Sequence, residues 1–196
     1  MRFLHVCSVS SGKDSQAVML LAIERCGREN CRFVIADTGN EDPAVWEHIA
    51  YLERTLNIKV DVLRADFSAE IAGKRAFIAA DRRVRKRLVK VKDKTGRVVE
   101  RRVQRVRWTN KAKRRALAVL HPTGNPYVDL CLWKGRFPSR RAQFCTEHLK
   151  TNQLVEYQMA LVDQGYGVIS WQGVRRDESA NRKHANTSRG PTSSID

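Results

Sequence analysis

The residues best suited to bind a phosphate group lie in one short loop near the amino terminus, Ser10-Ser11-Gly12-Lys13-Asp14-Ser15. The apolar run from Phe3 to Val9 predicts a buried strand before this loop, and the apolar spacing after it predicts a helix from Gln16 to Cys26. The first turn of a helix has backbone N–H groups without intrahelical partners, and its dipole favours an anion. Serine hydroxyls and a lysine ammonium add donors and positive charge, and glycine allows a close approach of the backbone to a ligand. The sequence therefore predicts a loop that binds phosphate or sulfate.

This loop differs from the Walker A loop, which needs a glycine, then four residues of any type, and then a Gly-Lys-Ser or Gly-Lys-Thr triplet. Cys7 occupies the position of that glycine, and Lys13 is followed by Asp14. Asp14 has two interpretations. It is an acid in the first helical turn, where the dipole favours it, or it organises the loop and holds a cation beside the anion.

Three later stretches place polar or charged groups at the ends of predicted elements. Asp37-Thr38-Gly39 follows a second apolar strand, Cys31 to Ala36, and ligands of open parallel sheets bind at that edge. Thr146 and Lys150 are four residues apart, one helical turn, so both are expected to face one ligand. Residues Gly173 to Ser179 follow the last predicted strand and contain two arginines.

In their order along the chain, these stretches resemble the motifs of a known family. Ser10 to Ser15 is similar to the Ser-Gly-Gly-x-Asp-Ser loop of the PP-loop superfamily, with Ser11 in place of the first glycine. Ala36 to Asn40, Phe144 to Lys150 and Gly173 to Ser179 resemble the phosphoadenosine phosphosulfate (PAPS) reductase family in particular. The resemblance implies an α/β fold with a doubly wound, Rossmann-like parallel sheet of five core strands. It also implies an adenine nucleotide, PAPS or ATP, as the ligand.

The resemblance further implies which residues form the site. The nucleotide- and phosphate-binding set is Ser10, Ser11, Gly12, Lys13, Asp14, Ser15, Asp37, Thr38, Gly39, Thr146, Lys150, Gly173, Arg175, Glu178 and Ser179. Within this set Lys13, Asp14 and Arg175 are the candidate catalytic residues. No residue is assigned to a metal, because the five histidines show no ligand spacing and the five cysteines form no C-x-x-C pair.

Two reactions are open on these grounds. PAPS reductases attack the sulfur with a cysteine in a C-terminal tail and release sulfite. No cysteine follows Cys145 in this sequence, so Cys145 or Cys131 would have to replace it, with a thiol reductant protein as partner. Related adenosine-phosphosulfate reductases hold an iron–sulfur cluster through paired cysteines. Here Phe144 precedes Cys145, so no iron–sulfur cluster is expected.

The alternative reaction uses ATP, as in the PP-loop ATP pyrophosphatases. In these enzymes the loop binds the β and γ phosphates, an acceptor oxygen attacks the α phosphorus, and pyrophosphate leaves. Mg²⁺ would be expected for this chemistry. A nucleic acid is the acceptor that the charge distribution of this chain favours.

The positive charge is concentrated between Gly73 and Arg115. This segment holds 19 Lys and Arg residues against three Asp and Glu residues, a net charge of +16 that equals the net charge of the whole chain. Such a density suits a phosphate backbone, so we predict nucleic-acid contact through residues 73–115. The competing interpretation is a solvated segment that binds nothing specific. A third functional hypothesis follows: a nucleotide-dependent nucleic-acid-binding protein without catalysis.

Strands and helices alternate along the chain with short connections, which predicts a parallel, doubly wound sheet. We expect one nucleotide-binding domain over residues 1–180, interrupted by a basic insertion at about 73–115, and a flexible tail at 181–196. The alternation from Ile58 to Leu63 predicts an edge strand with one solvated face.

Within the insertion, Leu88 to Lys92 and Arg97 to Val103 flank the turn sequence Asp93-Lys94-Thr95-Gly96, a pattern that predicts a β-hairpin. The apolar segment Val128 to Trp133 is compatible with either a helix or a strand. A further helix is expected from Cys145 onward, ending at Gly165.

Features of the whole chain predict its location. No apolar run reaches the length of a membrane span, and Phe3 to Val9 is too short for a signal peptide. An odd number of cysteines, one of them in a predicted core strand, is typical of a reducing compartment. A cytoplasmic protein without membrane contact is therefore expected.

Overall fold

The computed structural model describes residues 1–173, which form two compact units. The first unit comprises residues 1–37, 41–63 and the chain from Lys150 onward, and the second comprises residues 38–40 and 64–149. The sequence predicts one domain over residues 1–180 with an insertion at about 73–115. The two compact units do not test these boundaries, which stay a prediction. The tail expected at 181–196 lies outside the described residues.

The elements follow one another in the order that the sequence predicts. The strands are β1 (Phe3–Ser8), β2 (Cys31–Asp37), β3 (Val60–Arg64), β4 (Val84–Lys92), β5 (Val98–Val106) and β6 (Gly167–Trp171). The helices are α1 (Lys13–Cys26), α2 (Pro43–Leu56), α3 (Ser68–Ala80), α4 (Asn110–Val119), α5 (Pro126–Lys134), α6 (Phe144–Thr146) and α7 (Asn152–Asp163). A 3₁₀ turn covers Arg28–Asn30, and a π-helical turn covers Glu147–Thr151. Within residues 1–173, no helix is long and apolar enough to cross a bilayer.

The first unit is built on a parallel sheet with the strand order β3-β2-β1-β6. β1 pairs in parallel with β2, from His5 opposite Cys31 to Ser8 opposite Val34, and also in parallel with β6. The predicted α/β fold is confirmed, with the first strand inside the sheet and β3 at an edge. The resemblance implies five core strands, and four of them fall within the described residues.

Both faces of this sheet are covered by helices. On one face, side chains of β1 and β2 such as Cys7 and Phe33 pack with Met19 of α1 and Leu52 of α2. On the other face, β1 and β2 pack against the α7 side chains, which include Leu161. Strands buried on both faces lack an apolar–polar alternation, which explains the continuous apolar runs of β1 and β2.

The second unit packs α3, α4 and α5 around a separate apolar core that includes Ile71, Leu130 and Leu149. Cations from neighbouring helices bind the carbonyl groups at the helix C-termini. Lys74 Nζ donates to Leu132 O and Trp133 O at 2.8 Å, at the end of α5. Arg75 and Lys113 do the same at the ends of α4 and α3. A positive charge at a helix C-terminus is favoured by the dipole, so part of the basic character of this segment is structural.

The predicted hairpin forms from β4 and β5, with the turn at Asp93 to Gly96. The pairing begins at Val84 opposite Val106, so the ribbon is longer at its base than the sequence pattern indicates. Neither strand pairs with a third strand in the part of the chain that the structure describes. That this hairpin is an insertion relative to the family stays a prediction.

The ambiguous segment Val128 to Trp133 is helical and lies in α5. Asn125 caps the start of α5 by accepting a hydrogen bond from Val128 N at 3.1 Å, and Gly135 ends it in the left-handed conformation, with φ +71°. These two caps decide between helix and strand, because they satisfy the terminal groups of a helix.

The helix expected from Cys145 onward is not continuous. The π-helical turn Glu147–Thr151 separates α6 from α7. A π-turn contains more residues than an α-turn, so the four-residue spacing of Thr146 and Lys150 does not correspond to one α-helical turn.

Candidate functional site

A cavity of about 330 Å³ opens in the first unit, at the carboxyl edge of the parallel sheet. Residues that follow or end the four strands form one wall, and residues at the start of α7 form another. The lining residues are Ser8, Val9, Ser10, Ser11, Val34, Ile35, Ala36, Glu41, Val45, Leu63, Lys150, Thr151, Leu154, Val155, Gln158 and Gln172. The carboxyl edge is where open α/β sheets bind ligands, and the volume is in the range of small-molecule sites.

The lining of the cavity divides into an apolar part and a polar part. Val9, Ile35, Leu63 and Leu154 are among the aliphatic side chains, which suit the faces of a planar base. Ser10, Ser11, Lys150 and Gln158 supply hydroxyl, ammonium and amide groups. An amphiphilic ligand with an anionic end matches this division.

The loop from Ser10 to Ser15 is held by the hydroxyl of Ser15. Ser15 Oγ accepts a hydrogen bond from Ser10 N at 3.0 Å and lies 2.8 Å from both Ser10 O and Gly12 O, to which it donates. Ser10 Oγ lies 2.9 Å from Ser15 Oγ and accepts a hydrogen bond from Gly12 N at 3.3 Å. Ser15 therefore sets the shape of the loop, while Ser11 lines the cavity.

The amino end of α1 lies directly after this loop. Gly12 is the residue before the first helical turn, and within the described residues no side chain caps this end. Gly12 has φ −81°, which any residue adopts, and an added Cβ would meet only Ser10 Oγ, at 3.4 Å. Neither the backbone nor the packing requires a glycine here. The approach of a ligand to the backbone at Gly12 stays a prediction.

Gly173 packs against the same helical turn. A Cβ at Gly173 would lie 3.1 Å from the carbonyl carbon and oxygen of Asp14 and from Ser15 N. The first residue of the predicted Gly173–Ser179 stretch is thus placed beside the phosphate loop. Arg175, Glu178 and Ser179 lie outside the described residues, and their roles stay predictions.

Sequence reasoning assigned Lys150 to the site but missed Leu154, Gln158 and Gln172. Leu154 and Gln158 are four residues apart within α7, and this spacing along one helical face was available in the sequence; Lys150 lies in the π-helical turn before α7. Gln172 directly precedes Gly173 at the end of β6, where the strand-end argument applies equally. Gln158 is oriented by a 3.0 Å hydrogen bond from its Nε2 to Ser170 Oγ.

The stretch Asp37-Thr38-Gly39 is divided between the two units. Asp37 ends β2 and is 7% exposed. In the second unit Thr38 O accepts from Tyr127 N at 3.1 Å, and Gly39 O accepts from Asn125 Nδ2 at 2.8 Å. Gly39 has φ +80°, and a Cβ there would lie 2.8 Å from Asn125 Oδ1. These contacts give Thr38 and Gly39 a structural role beside their predicted one.

Thr146 also belongs to the second unit and does not line the cavity of the first unit. It is exposed at the end of α6. The residues that line the cavity do not include Thr146, and its role as a ligand contact stays a prediction.

Three of the five cysteines are buried in apolar surroundings. Burial raises the pKa of Cys7 to about 12, with Cys31 adding to the effect, and burial also raises the pKa of Cys31 and Cys131. A thiol that stays protonated is a poor nucleophile. Cys131 is therefore unsuited to replace a reductase thiol, whereas Cys145 is half-buried at the start of α6.

The described part of the chain contains no cluster of side chains that could bind a metal ion by itself. Among residues 1–173, no three His, Cys, Asp or Glu side chains converge as a ligand set. Mg²⁺ at a nucleotide site needs only one or two carboxylates in addition to the phosphates. Asp14 lies in the first turn of α1, and both of its predicted roles, a first-turn acid and a cation ligand, stay predictions.

Comparison with known proteins identifies one relative. Over 180 residues the chain is 40% identical to an uncharacterized 37.8 kDa protein encoded in the gpa 5′ region of Escherichia phage 186. The match covers 91% of this chain and 49% of that protein, so the chain spans about half the length of its relative. No solved structure matches the chain significantly.

The family model of the phosphoadenosine phosphosulfate reductase domain matches residues 4–190, which include the loop, the cavity lining and all four strands of the sheet. The chain therefore belongs to the phosphoadenosine phosphosulfate reductase family of nucleotide-binding PP-loop proteins.

Proposed function

We propose that the first unit binds an adenine nucleotide, with the base and ribose in the cavity and a phosphate or sulfate group at the loop Ser10–Ser15. The observation that supports this most directly is the cavity itself. It combines aliphatic walls with Ser10, Ser11 and Lys150 at the carboxyl edge of a parallel sheet. Membership of the family adds that the ligand is an adenine nucleotide.

In this proposal the loop binds the anion through backbone N–H groups and through positive charge. The N–H groups at the uncapped amino end of α1 face the anion, and the dipole of this 14-residue helix adds to their effect. Lys13 and Lys150 add positive charge from the loop and from the start of α7. The aliphatic walls exclude water from the base, which strengthens these charge interactions.

The reaction that we propose is sulfonucleotide reduction or a related sulfur transfer. In such a step a thiolate attacks the sulfur of PAPS and forms an S–S bond, the S–O bond to the nucleotide phosphate breaks, and adenosine 3′,5′-bisphosphate leaves. A second thiol, from the reductant protein, then attacks the thiol-bound sulfonate, forms a disulfide and releases sulfite. Lys13 and Arg175 would neutralise the negative charge that develops on the leaving phosphate. The attacking thiolate would not be one of the buried cysteines Cys7, Cys31 and Cys131. The reductant would be a separate thiol protein.

A second candidate is ATP-dependent adenylyl transfer, in which pyrophosphate leaves and a nucleic acid is the acceptor. The burial of Cys131 favours it, because a buried, protonated thiol is a poor nucleophile and Cys145 is then left as the one candidate reductase thiol of the two. Mg²⁺ would then bind with the ATP phosphates and neutralise their charge, and Asp14 is the side chain in the loop that could hold it.

Parallel calorimetric titrations with PAPS, adenosine 3′,5′-bisphosphate and Mg-ATP at one salt concentration test the proposal. Tighter binding of the 3′-phosphorylated nucleotides supports the sulfonucleotide reaction, and tighter binding of Mg-ATP supports adenylyl transfer. The variant Lys150→Gln should weaken the preferred nucleotide by about tenfold, the scale of one charge-assisted hydrogen bond.

Lys59→Gln is the matched control, because it removes the same charge from an exposed lysine that does not line the cavity. Equal losses in the two variants would show that net charge, and not the cavity, governs affinity. Failure of all three nucleotides to bind would contradict the proposal.

A further inference from the structure

The hairpin β4–β5 is an exposed ribbon that the nucleotide site does not explain. Its nine cross-strand pairs run from Val84 opposite Val106 to Lys92 opposite Val98. Every side chain of the two strands is exposed except those of Val89 and Val103, which are half-buried. A two-stranded ribbon is only marginally stable by itself, so the contacts at its two ends must maintain its shape.

The tip of the hairpin is ordered by Asp93. Its Oδ1 accepts hydrogen bonds from Thr95 N at 2.8 Å, from Thr95 Oγ1 at 2.6 Å and from Arg97 N at 2.9 Å. Gly96 supplies the positive φ, +82°, that this turn needs. The tip is therefore a defined turn.

The base of the hairpin is ordered by Asp81, whose side chain is 1% exposed. Arg83 donates to Asp81 from its backbone N, from Nε and from its terminal guanidinium nitrogen, at 2.8–2.9 Å. Arg107 N then donates to Arg83 O at 2.8 Å and continues the pairing below β5. With both ends held, the register of the ribbon is defined, and it decides which side chains share a face.

The register divides the ribbon into two faces of different character. The arginine face consists of the odd-numbered residues Arg85, Arg87, Val89, Val91, Val99, Arg101, Val103 and Arg105. The lysine face consists of the even-numbered residues Val84, Lys86, Leu88, Lys90, Lys92, Val98, Glu100, Arg102, Gln104 and Val106. Each face carries four basic residues, but only the lysine face carries an acid.

The charges on the lysine face are partly compensated, because Lys90 lies opposite Glu100. The charges on the arginine face are not, because Arg85 lies directly opposite Arg105. Like charges in opposite positions destabilise a β-ladder. A polyanion removes this repulsion, and the planar guanidinium group is the side chain best suited to phosphate and to guanine edges.

We propose that the hairpin binds duplex DNA by lying in the major groove, with the arginine face toward the base pairs. The major groove of B-DNA is about 12 Å wide and admits a two-stranded β-ribbon. Nine residues extend about 30 Å, close to one helical turn of about 34 Å. The four valines of the arginine face match thymine methyl groups, which make apolar contacts in this groove. The deep, narrow major groove of A-form RNA does not admit such a ribbon.

Fluorescence anisotropy of the full chain with a labelled 20-base-pair DNA duplex, and with an RNA duplex of the same sequence, tests this assignment. We expect tighter binding to DNA and a steep loss of affinity with rising salt. Netropsin, which occupies the minor groove, should leave the binding unchanged. Equal or tighter binding to the RNA duplex, displacement by netropsin, or no binding to the DNA duplex would overturn the proposal.

Two variants with the same charge change test which face is used. One replaces Arg85, Arg87, Arg101 and Arg105 by Gln, and the other replaces Lys86, Lys90, Lys92 and Arg102 by Gln. All eight side chains are exposed, so both variants should stay folded, and the arginine-face variant, which loses the repulsion between Arg85 and Arg105, should melt at or above the wild-type temperature. The arginine-face variant should lose at least tenfold more affinity for DNA than the lysine-face variant, while nucleotide binding stays unchanged in both. Equal losses would overturn the assignment of the face.

Discussion

The variant Ser15→Ala is expected to disorder the phosphate loop while the fold persists. Ser15 Oγ has a single proton, so it donates to either Ser10 O or Gly12 O, both at 2.8 Å, and it accepts from Ser10 N at 3.0 Å. Alanine removes two hydrogen bonds to the backbone at any moment, one donated and one accepted, and also the 2.9 Å contact with Ser10 Oγ, an exposed hydroxyl that can turn to water. The loop is at the surface, so water can bond to the backbone groups that Ser15 leaves, and the loss of stability is confined to the loop.

The expected size of the effect follows from these two bonds. A hydrogen bond within a folded protein contributes about 0.5–1.5 kcal/mol, so the ordered form of the loop loses about 1–3 kcal/mol. If the ordered form is the one that binds the anion, the nucleotide affinity falls by the same free energy. This corresponds to a decrease of about 5- to 150-fold in affinity.

Calorimetry with the preferred nucleotide measures this loss, and hydrogen exchange at Ser10 N measures the order of the loop. Ser11→Ala is the matched control, because the Ser11 hydroxyl takes no part in these loop bonds but lines the cavity. It should lose at most one contact with the ligand and leave the exchange at Ser10 N unchanged. An affinity of Ser15→Ala within twofold of the wild type, or a larger loss in Ser11→Ala, would refute the reasoning.

Three further predictions concern the second unit. Gly73→Ala should raise the free energy of unfolding by about 0.5–1 kcal/mol in a denaturant titration. Gly73 lies within α3, and a Cβ there meets nothing within 4 Å. An unchanged or lower free energy of unfolding would contradict this prediction. Lys74→Met should lower the melting temperature by several degrees, because the two carbonyl groups at the end of α5 lose their 2.8 Å donor. Arg83 lowers the pKa of Asp81 from 3.8 to about 2, so the stability that this pair contributes is present above pH 3.8 and is lost as the pH falls toward 2. An NMR titration of Arg83→Gln should place the Asp81 midpoint closer to 3.8, and an unchanged midpoint would show that Arg83 is not the cause.

Local patterns predicted most of the fold because the relevant interactions are local. The run Phe3 to Val9 is apolar throughout, since β1 is buried on both faces by residues from α1 and α7. Asp42 and Pro43 are residue types that favour the start of a helix, and at the start of α2 Asp42 Oδ1 accepts from Ala44 N at 2.9 Å. The turn Asp93 to Gly96 predicted the hairpin through its own side-chain bonds.

The predictions lost accuracy where the apolar spacing alone does not decide the conformation. Val128 to Trp133 has an apolar pattern that suits a strand or a helix, and the caps at Asn125 and Gly135 settle it as a helix. Asp129 in this helix also accepts from Thr123 N at 2.7 Å, which ties the preceding loop to it. The π-helical turn at Glu147–Thr151 has no signal in the apolar spacing, because the spacing reports which residues are buried and not how the backbone bonds within one turn.

The sequence by itself determined the family motifs, the composition of the loop Ser10 to Ser15 and the charge of residues 73–115, because each is a property of residues that lie close together along the chain. Only the tertiary structure brought Ser11, Leu63 and Lys150 to one cavity, and only the strand register separated an arginine face from a lysine face. The physical reason is the same in both cases. A site at a sheet edge and the faces of a ribbon depend on which backbone groups pair, and a one-residue change of register would move every side chain to the opposite face.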